Sequence, residues 1–181
     1  MIQALHKAGI RVIMDVVYNH VYNADTFCFN QIVPNYFSRV TPKGHHCNDS
    51  GCGNTTASER SMVKKYIIDS VKYWADEYHI DGFRFDLVGL LDTETINQIV
   101  SEVHEIRPDV IFYGEGWDMD GTNREPGTQM AKQGNASKTP GFAYFSDSMR
   151  NNLSGSNDAT ATGFASGAGN GGAMVTEWLA N

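Results

Sequence analysis

The sequence is poor in cysteine, in basic charge and in long apolar runs. Its only cysteines are Cys28, Cys47 and Cys52, and an odd number makes a poor disulfide framework. Lys and Arg total 14 against 21 Asp and Glu, for a net charge of -7. That balance argues against a nucleic-acid partner and is neutral about sugars. No apolar run approaches the length of a membrane span, so no membrane partner is expected. No signal peptide is visible, and because Met1 falls inside a structural element that absence carries no weight. The stretch HHCNDSGC (45–52) sets two histidines beside two cysteines. Adjacent histidines are awkward joint ligands and no second C-x-x-C pair completes a site, so no metal is expected there. Nothing in the sequence sets an oligomeric state.

What is present is a globular composition, 41% hydrophobic and 19% charged, enough for one domain with a core or for part of a larger one. The pattern alternates strands and helices. MIQALHKAG has apolar residues at helical spacing and ends at Gly9, a good helix terminator. RVIMDVVY (11–18) is a β-branched apolar run. Residues 58–78 place Val63, Ile67, Val71 and Trp74 on one helical stripe, with Thr56 and Glu59 fitting a capping box. The strand DGFRFDLV follows at once. Residues 93–106 are a second amphipathic helix, with Asp92 as N-cap and Pro108 closing it. VIFYGEGWD (110–118) reads as a strand, as does AYFSD (143–147), followed by a short helical stretch, SMRNNL. The alternation predicts an α/β fold with a parallel sheet and crossover helices. Residues 21–56 break the rhythm and are expected to form a long loop after the first visible strand. A loop of that length inside a domain is usually functional. The Gly- and Ala-rich tail 163–172 reads as a flexible loop or a point of truncation.

Polar residues collect at three strand ends. The first carries Asp15, Asn19 and His20; the second carries Arg84 and Asp86; the third carries Tyr113, Glu115, Trp117 and Asp118. Parallel α/β architecture brings the carboxyl ends of its strands to one rim. In the stretch DGFRFDLVG, alternation sets Phe83, Phe85 and Leu87 on one face and Arg84 and Asp86 on the other. Two carboxylates on neighbouring strand ends suit glycoside hydrolysis: one attacks the anomeric carbon and the other protonates the leaving oxygen. Arg84 favours the Asp86 anion. Gly114, Gly116 and Trp117 around Glu115 suggest partial desolvation, a close approach of a sugar to the backbone, and a flat face for a pyranose ring. Taken singly, each residue fits an ordinary structural role equally well; taken together, three polar strand ends favour a site.

At these residues the sequence resembles a known family. DVVYNH, GFRFDLVG and YGEGWD are similar to three ordered regions of the α-amylase superfamily, glycoside hydrolase family 13, with type I pullulanases the closest match. NDSGCGNTTASERSMVKKYIIDSVKYW and AYFSDSMRNNLSGS extend the resemblance along nearly the whole chain. The resemblance implies a (β/α)8 TIM barrel and a retaining hydrolase acting on the α-1,6 branch linkages of pullulan and branched α-glucans. It implies Asp86 as nucleophile and Glu115 as general acid/base. Arg84 would hold the nucleophile, His20 would contact the sugar with Asn19 and Asp15 in support, and Trp117 and Asp118 would form a debranching-type extension. The partner implied is an α-glucan polysaccharide. No cofactor is required; a structural calcium stays open, but these residues do not indicate one. The alternatives are another superfamily hydrolase, an isoamylase or an α-1,4-acting enzyme, or an inert α-glucan-binding piece. The family's histidine–aspartate region near the seventh strand has no counterpart here, nor do the first two strands. Residues 1–181 are therefore expected to be a partial catalytic domain, from about the second barrel helix to about the sixth strand.

Overall fold

A computed structural model describes residues 1–119, 124–158, 160–167 and 176. The chain divides into two units, 1–144 and 145–181.

In the first unit, α1 (Ile2–Lys7) leads into β1 (Ile13–Val16). A short α2 (Cys28–Ile32) precedes α3 (Ser61–Glu77), which returns the chain to β2 (Gly82–Phe85). Helix α4 (Thr93–Ile106) then crosses to β3 (Ile111–Gly114), and β4 (Phe142–Tyr144) comes last. The sheet order is β1-β2-β3-β4 with every pairing parallel, as the alternating pattern predicts.

The register separates two faces. Met14, Phe83, Phe112 and Phe142 form one cross-strand row. They join Val16, Phe85 and the buried stripes of α3 (Val63, Ile67, Val71) and α4 (Ile96, Ile99, Val103) in one core. The rings of Phe83 and Phe112 stack with centroids 5.8 Å apart. Full burial of each such side chain contributes about 1.5–3 kcal/mol, so this helix-covered face holds the unit together. The opposite face carries Ile13, Gly82 and Ile111 in one row and Asp15, Arg84, Tyr113 and Ala143 in the next. Ile13 and Ile111 are 36% and 49% exposed there.

The four described strands make an open parallel sheet, consistent with a chain read as only part of a barrel. Several other expectations are corrected. The strand in DGFRFDLV stops at Phe85; Asp86 still lies on the Arg84 side, 3.1 Å from its guanidinium, and the alternation breaks at Leu87. Leu87 adopts a left-handed conformation at φ 39°, ψ 46°, which turns the chain sharply. Thr56 and Glu59 form no capping box: α3 starts after Arg60 without a side-chain cap, and Glu59 is engaged by Arg39. Trp74 is only partly buried against the core. The Asp92 cap holds, accepting from the Thr95 N–H at 2.9 Å. Residues 21–56 are not wholly irregular, since they contain α2 and the antiparallel bridges Ser38–Thr56 and Val40–His46.

In the second unit, Ser146 caps α5 (Asp147–Ser154), and Gly155 pairs with Thr162. Of the Gly- and Ala-rich tail, residues 168–172 lie outside the described residues.

Candidate active site

Three strands deliver the site. Asp15 lies on β1, with Asn19 and His20 on the turn just beyond it. Asp86 lies one residue past β2 and Glu115 one residue past β3. The parallel pairing continues across these ends: Asp86 N–H donates to the Val16 carbonyl at 3.0 Å and Glu115 N–H to the Phe85 carbonyl at 3.1 Å. The two carboxylates therefore stand side by side on one rim because their backbones are still in register.

Arg84 links them. Its Nη1 donates to Asp15 Oδ1 at 2.9 Å and to Asp86 Oδ1 at 3.1 Å, and its Nη2 reaches Glu115 Oε1 at 2.5 Å. A planar guanidinium can span carboxylates in this way where a point charge cannot. Burial works against the Arg84 charge, but the hydrogen bond to Asp15 and the charge on Glu115 outweigh it. Its pKa is raised above the ordinary arginine value.

Asp86 is held from a second side. The buried Asn19 donates through Nδ2 to the Asp86 carbonyl at 2.7 Å and to its Oδ2 at 3.0 Å. Asn19 Oδ1 pairs with His20 Nδ1 at 2.6 Å, which sets the ring and leaves Nε2 outside that bond. Glu115 Oε2 accepts from the Leu87 N–H at 3.3 Å, and its carbonyl accepts from the Gly89 N–H at 3.3 Å. The left-handed turn at Leu87 thus aims two backbone donors at Glu115.

The structure brings Asp15, Asn19, His20, Arg84, Asp86 and Glu115 into one connected network. Trp117 is 40% exposed, and Asp118 pairs with Lys132 at 2.6 Å. The Glu115 side chain is only 15% accessible, in keeping with partial desolvation, and it is ion-paired with Arg84. One reading of the surroundings is corrected. Gly114 and Gly116 are buried, and a Cβ on them would strike the Phe85 carbonyl and the Tyr144 ring respectively. They allow close packing of protein on protein and do not offer backbone to a sugar. Gly89 is a third such position, since its Cβ would meet the Trp117 carbonyl.

Some residues that support the site carry no signal in the sequence. The fully buried Arg39 sits in the long loop. It holds Glu59 through two bonds of 3.1 and 2.8 Å and donates to the Leu90 carbonyl at 3.2 Å, tying the loop to the turn after Asp86. Thr56 N–H donates to the Asn19 carbonyl at 2.8 Å. No spacing rule links residues so far apart in the chain. Cys47 is buried while Cys28 and Cys52 are exposed. Among the described residues, no three His, Cys, Asp or Glu side chains are grouped to hold a metal, and no helix is long and apolar enough to cross a membrane.

No family model matches the chain. Curated relatives do. Pullulanase from Bacillus subtilis (strain 168) is 42% identical over 181 residues, which is 99% of this chain and 25% of that protein. Among solved structures, the Anoxybacillus sp. LM18-11 pullulanase complexed with maltotriose matches with a TM-score of 0.91 at 47% identity. The match covers 97% of this chain and 25% of that one. The Paenibacillus barengoltzii pullulanase complexed with maltohexaose and α-cyclodextrin gives 0.85 at 45% identity, covering 90% of this chain and 25% of that one. The chain spans about a quarter of the length of each of these three relatives.

Proposed function

We propose that this chain, which belongs with the pullulanases, supplies the two reacting carboxylates of a retaining glycoside hydrolase that cleaves α-1,6 branch linkages in α-glucans. The observation that carries this reading is Arg84, whose one guanidinium bonds both Asp86 and Glu115 at adjacent strand ends. Retention needs the two carboxyl groups about 5–5.5 Å apart, against about 6.5–9.5 Å for inversion. Carboxylates that share one guanidinium suit the shorter span.

In this reading Asp86 is the nucleophile. Asn19 and Arg84 fix its carboxylate, and attack on the anomeric carbon forms a glycosyl-enzyme intermediate. Glu115 protonates the departing glycosidic oxygen, then removes a proton from the water that hydrolyses the intermediate. His20, with its Nδ1 held by Asn19, offers Nε2 to a sugar hydroxyl. Trp117 offers an exposed ring for a pyranose, and Asp118 borders it. The chemistry asks for no cofactor beyond the two carboxyl groups. The open face bearing Ile13, Ile111, Asp15 and Arg84 becomes the interior of a (β/α)8 barrel once further strands close it. The relatives' complexes with malto-oligosaccharides support an α-glucan as substrate.

The test uses the full-length polypeptide that carries this segment. Asp86→Asn should abolish the covalent intermediate, because an amide does not attack as a carboxylate does. Glu115→Gln should cost about 10²–10⁴-fold, less for substrates whose leaving group needs no proton. Activity on linear amylose but not on pullulan would replace the α-1,6 assignment with an α-1,4 one. Silence of the unmutated polypeptide on every α-glucan would leave only a binding role.

A further inference from the structure

The long loop after β1 returns to the site at one side chain. Asn54 is 2% exposed. Its Oδ1 accepts from the Val21 N–H at 2.9 Å, and its Nδ2 donates to the Val21 carbonyl at 2.6 Å. The amide thus closes a ring of two hydrogen bonds with the backbone of a single residue, as a neighbouring strand would. Val21 follows His20 directly. The preceding Asn19 is gripped from the same loop by the Thr56 N–H. Asn54 is itself braced, because the Ser50 hydroxyl donates to its carbonyl at 2.6 Å.

We infer that Asn54 is a positioning residue for His20 and, through Asn19, for Asp86. The turn from Asn19 to Val21 lies beyond the end of β1 and, among the described residues, has no strand partner at Val21. The Asn54 amide supplies that partner. It fixes the backbone from which the His20 ring projects and so sets where Nε2 meets the substrate. This inference rests on the hydrolase reading above, in which His20 contacts the sugar.

The chemistry of the ring gives a specific test. In Asn54→Asp the ionised carboxylate can still accept from the Val21 N–H, but it sets a second oxygen against the Val21 carbonyl. Once protonated, the carboxyl regains an O–H donor and rebuilds both bonds. Burial raises a carboxyl pKa, so the rebuilding should begin above the ordinary value of about 3.9.

The experiment compares unmutated, Asn54→Asp and Asp86→Asn forms of the full-length polypeptide on a branched α-glucan, with melting followed at each pH. At neutral pH, Asn54→Asp should stay folded and lose about 10- to 100-fold in kcat/KM, the scale of a small misplacement of a binding group. As pH falls towards 5, its activity relative to the unmutated enzyme at the same pH should climb back. Asp86→Asn should be inactive throughout. An Asn54→Asp loss that is the same at every pH, or no loss at all, overturns the inference. So does an Asn54→Asp form that is unfolded at neutral pH, because Asn54 then serves stability alone. Retention of full activity by Asp86→Asn would instead overturn the hydrolase reading.

Discussion

Arg84 is a single cation among Asp15, Asp86 and Glu115, and its value lies in its shape. A lysine at this position keeps the charge but is a compact point donor that cannot reach the same three partners in fixed directions. Arg84→Lys should therefore fold normally and lose about 10²-fold in kcat, because misplacement by about 1 Å costs that much. Steady-state kinetics beside a melting curve checks both halves. At this scale much was legible: a cation and two carboxylates at strand ends announce themselves by residue type. The glycines were misread because the same residue serves a sugar's approach or a neighbour's. Only the positions of the Phe85 carbonyl and the Tyr144 ring decide between the two.

At the scale of elements, α4 was legible to the residue because its apolar period and its cap agree. The long loop was legible only as a length. What organises it is Arg39 with Glu59, a bidentate pair whose arginine is fully buried, and such a pair leaves no periodic trace. Removing one member strands the other charge in the core. Glu59→Ala should cost about 3–5 kcal/mol in urea unfolding, and replacing both residues with apolar ones should cost much less. A second tie sits at the opposite end of the sheet. The Asp81 carboxylate accepts from the Val12 N–H at 2.7 Å, meets His6 at 2.8 Å and lies 3.5 Å from Arg107. Burial pushes its pKa up, but the Val12 N–H and His6 prevail and it ends below the ordinary value. A depressed folded-state pKa gives stability that is present above the unfolded value of about 3.9 and is lost as pH falls through the folded one. Asp81→Asn should therefore destabilise by about 1–3 kcal/mol at pH 7. The gap should close in acid, where the native carboxyl is protonated too; a gap of equal size at both pH values would refute the linkage.

Among the described residues of the first unit, the sheet presents one face covered by α3 and α4 and one face bare. On the bare face Ile13 and Ile111 are exposed, and Asp15 has a side chain 66% accessible. Both β1 and β4 pair on one side only among the described residues. Open edges and an uncovered apolar row are liabilities that a closed barrel removes. This bare face is legible only through the reading of the chain as part of a barrel, because Ile13 and Ile111 taken by themselves look like any core residue of a buried strand. Their exposure follows from which strands are present, not from their own chemistry. The same face carries Asp15 and Arg84, so the surface that needs covering is the one that must be held rigid for catalysis. The 181-residue chain expressed alone should therefore release little or no reducing sugar from pullulan, and should bind an apolar dye or self-associate through the bare face. Within the full-length polypeptide the same residues should be active, with dye binding suppressed. Both are read from one preparation of each, by reducing-end release and dye fluorescence. Robust hydrolysis by the isolated chain would mean that four strands suffice to keep Asp86 and Glu115 in register, and the need for barrel closure would fall.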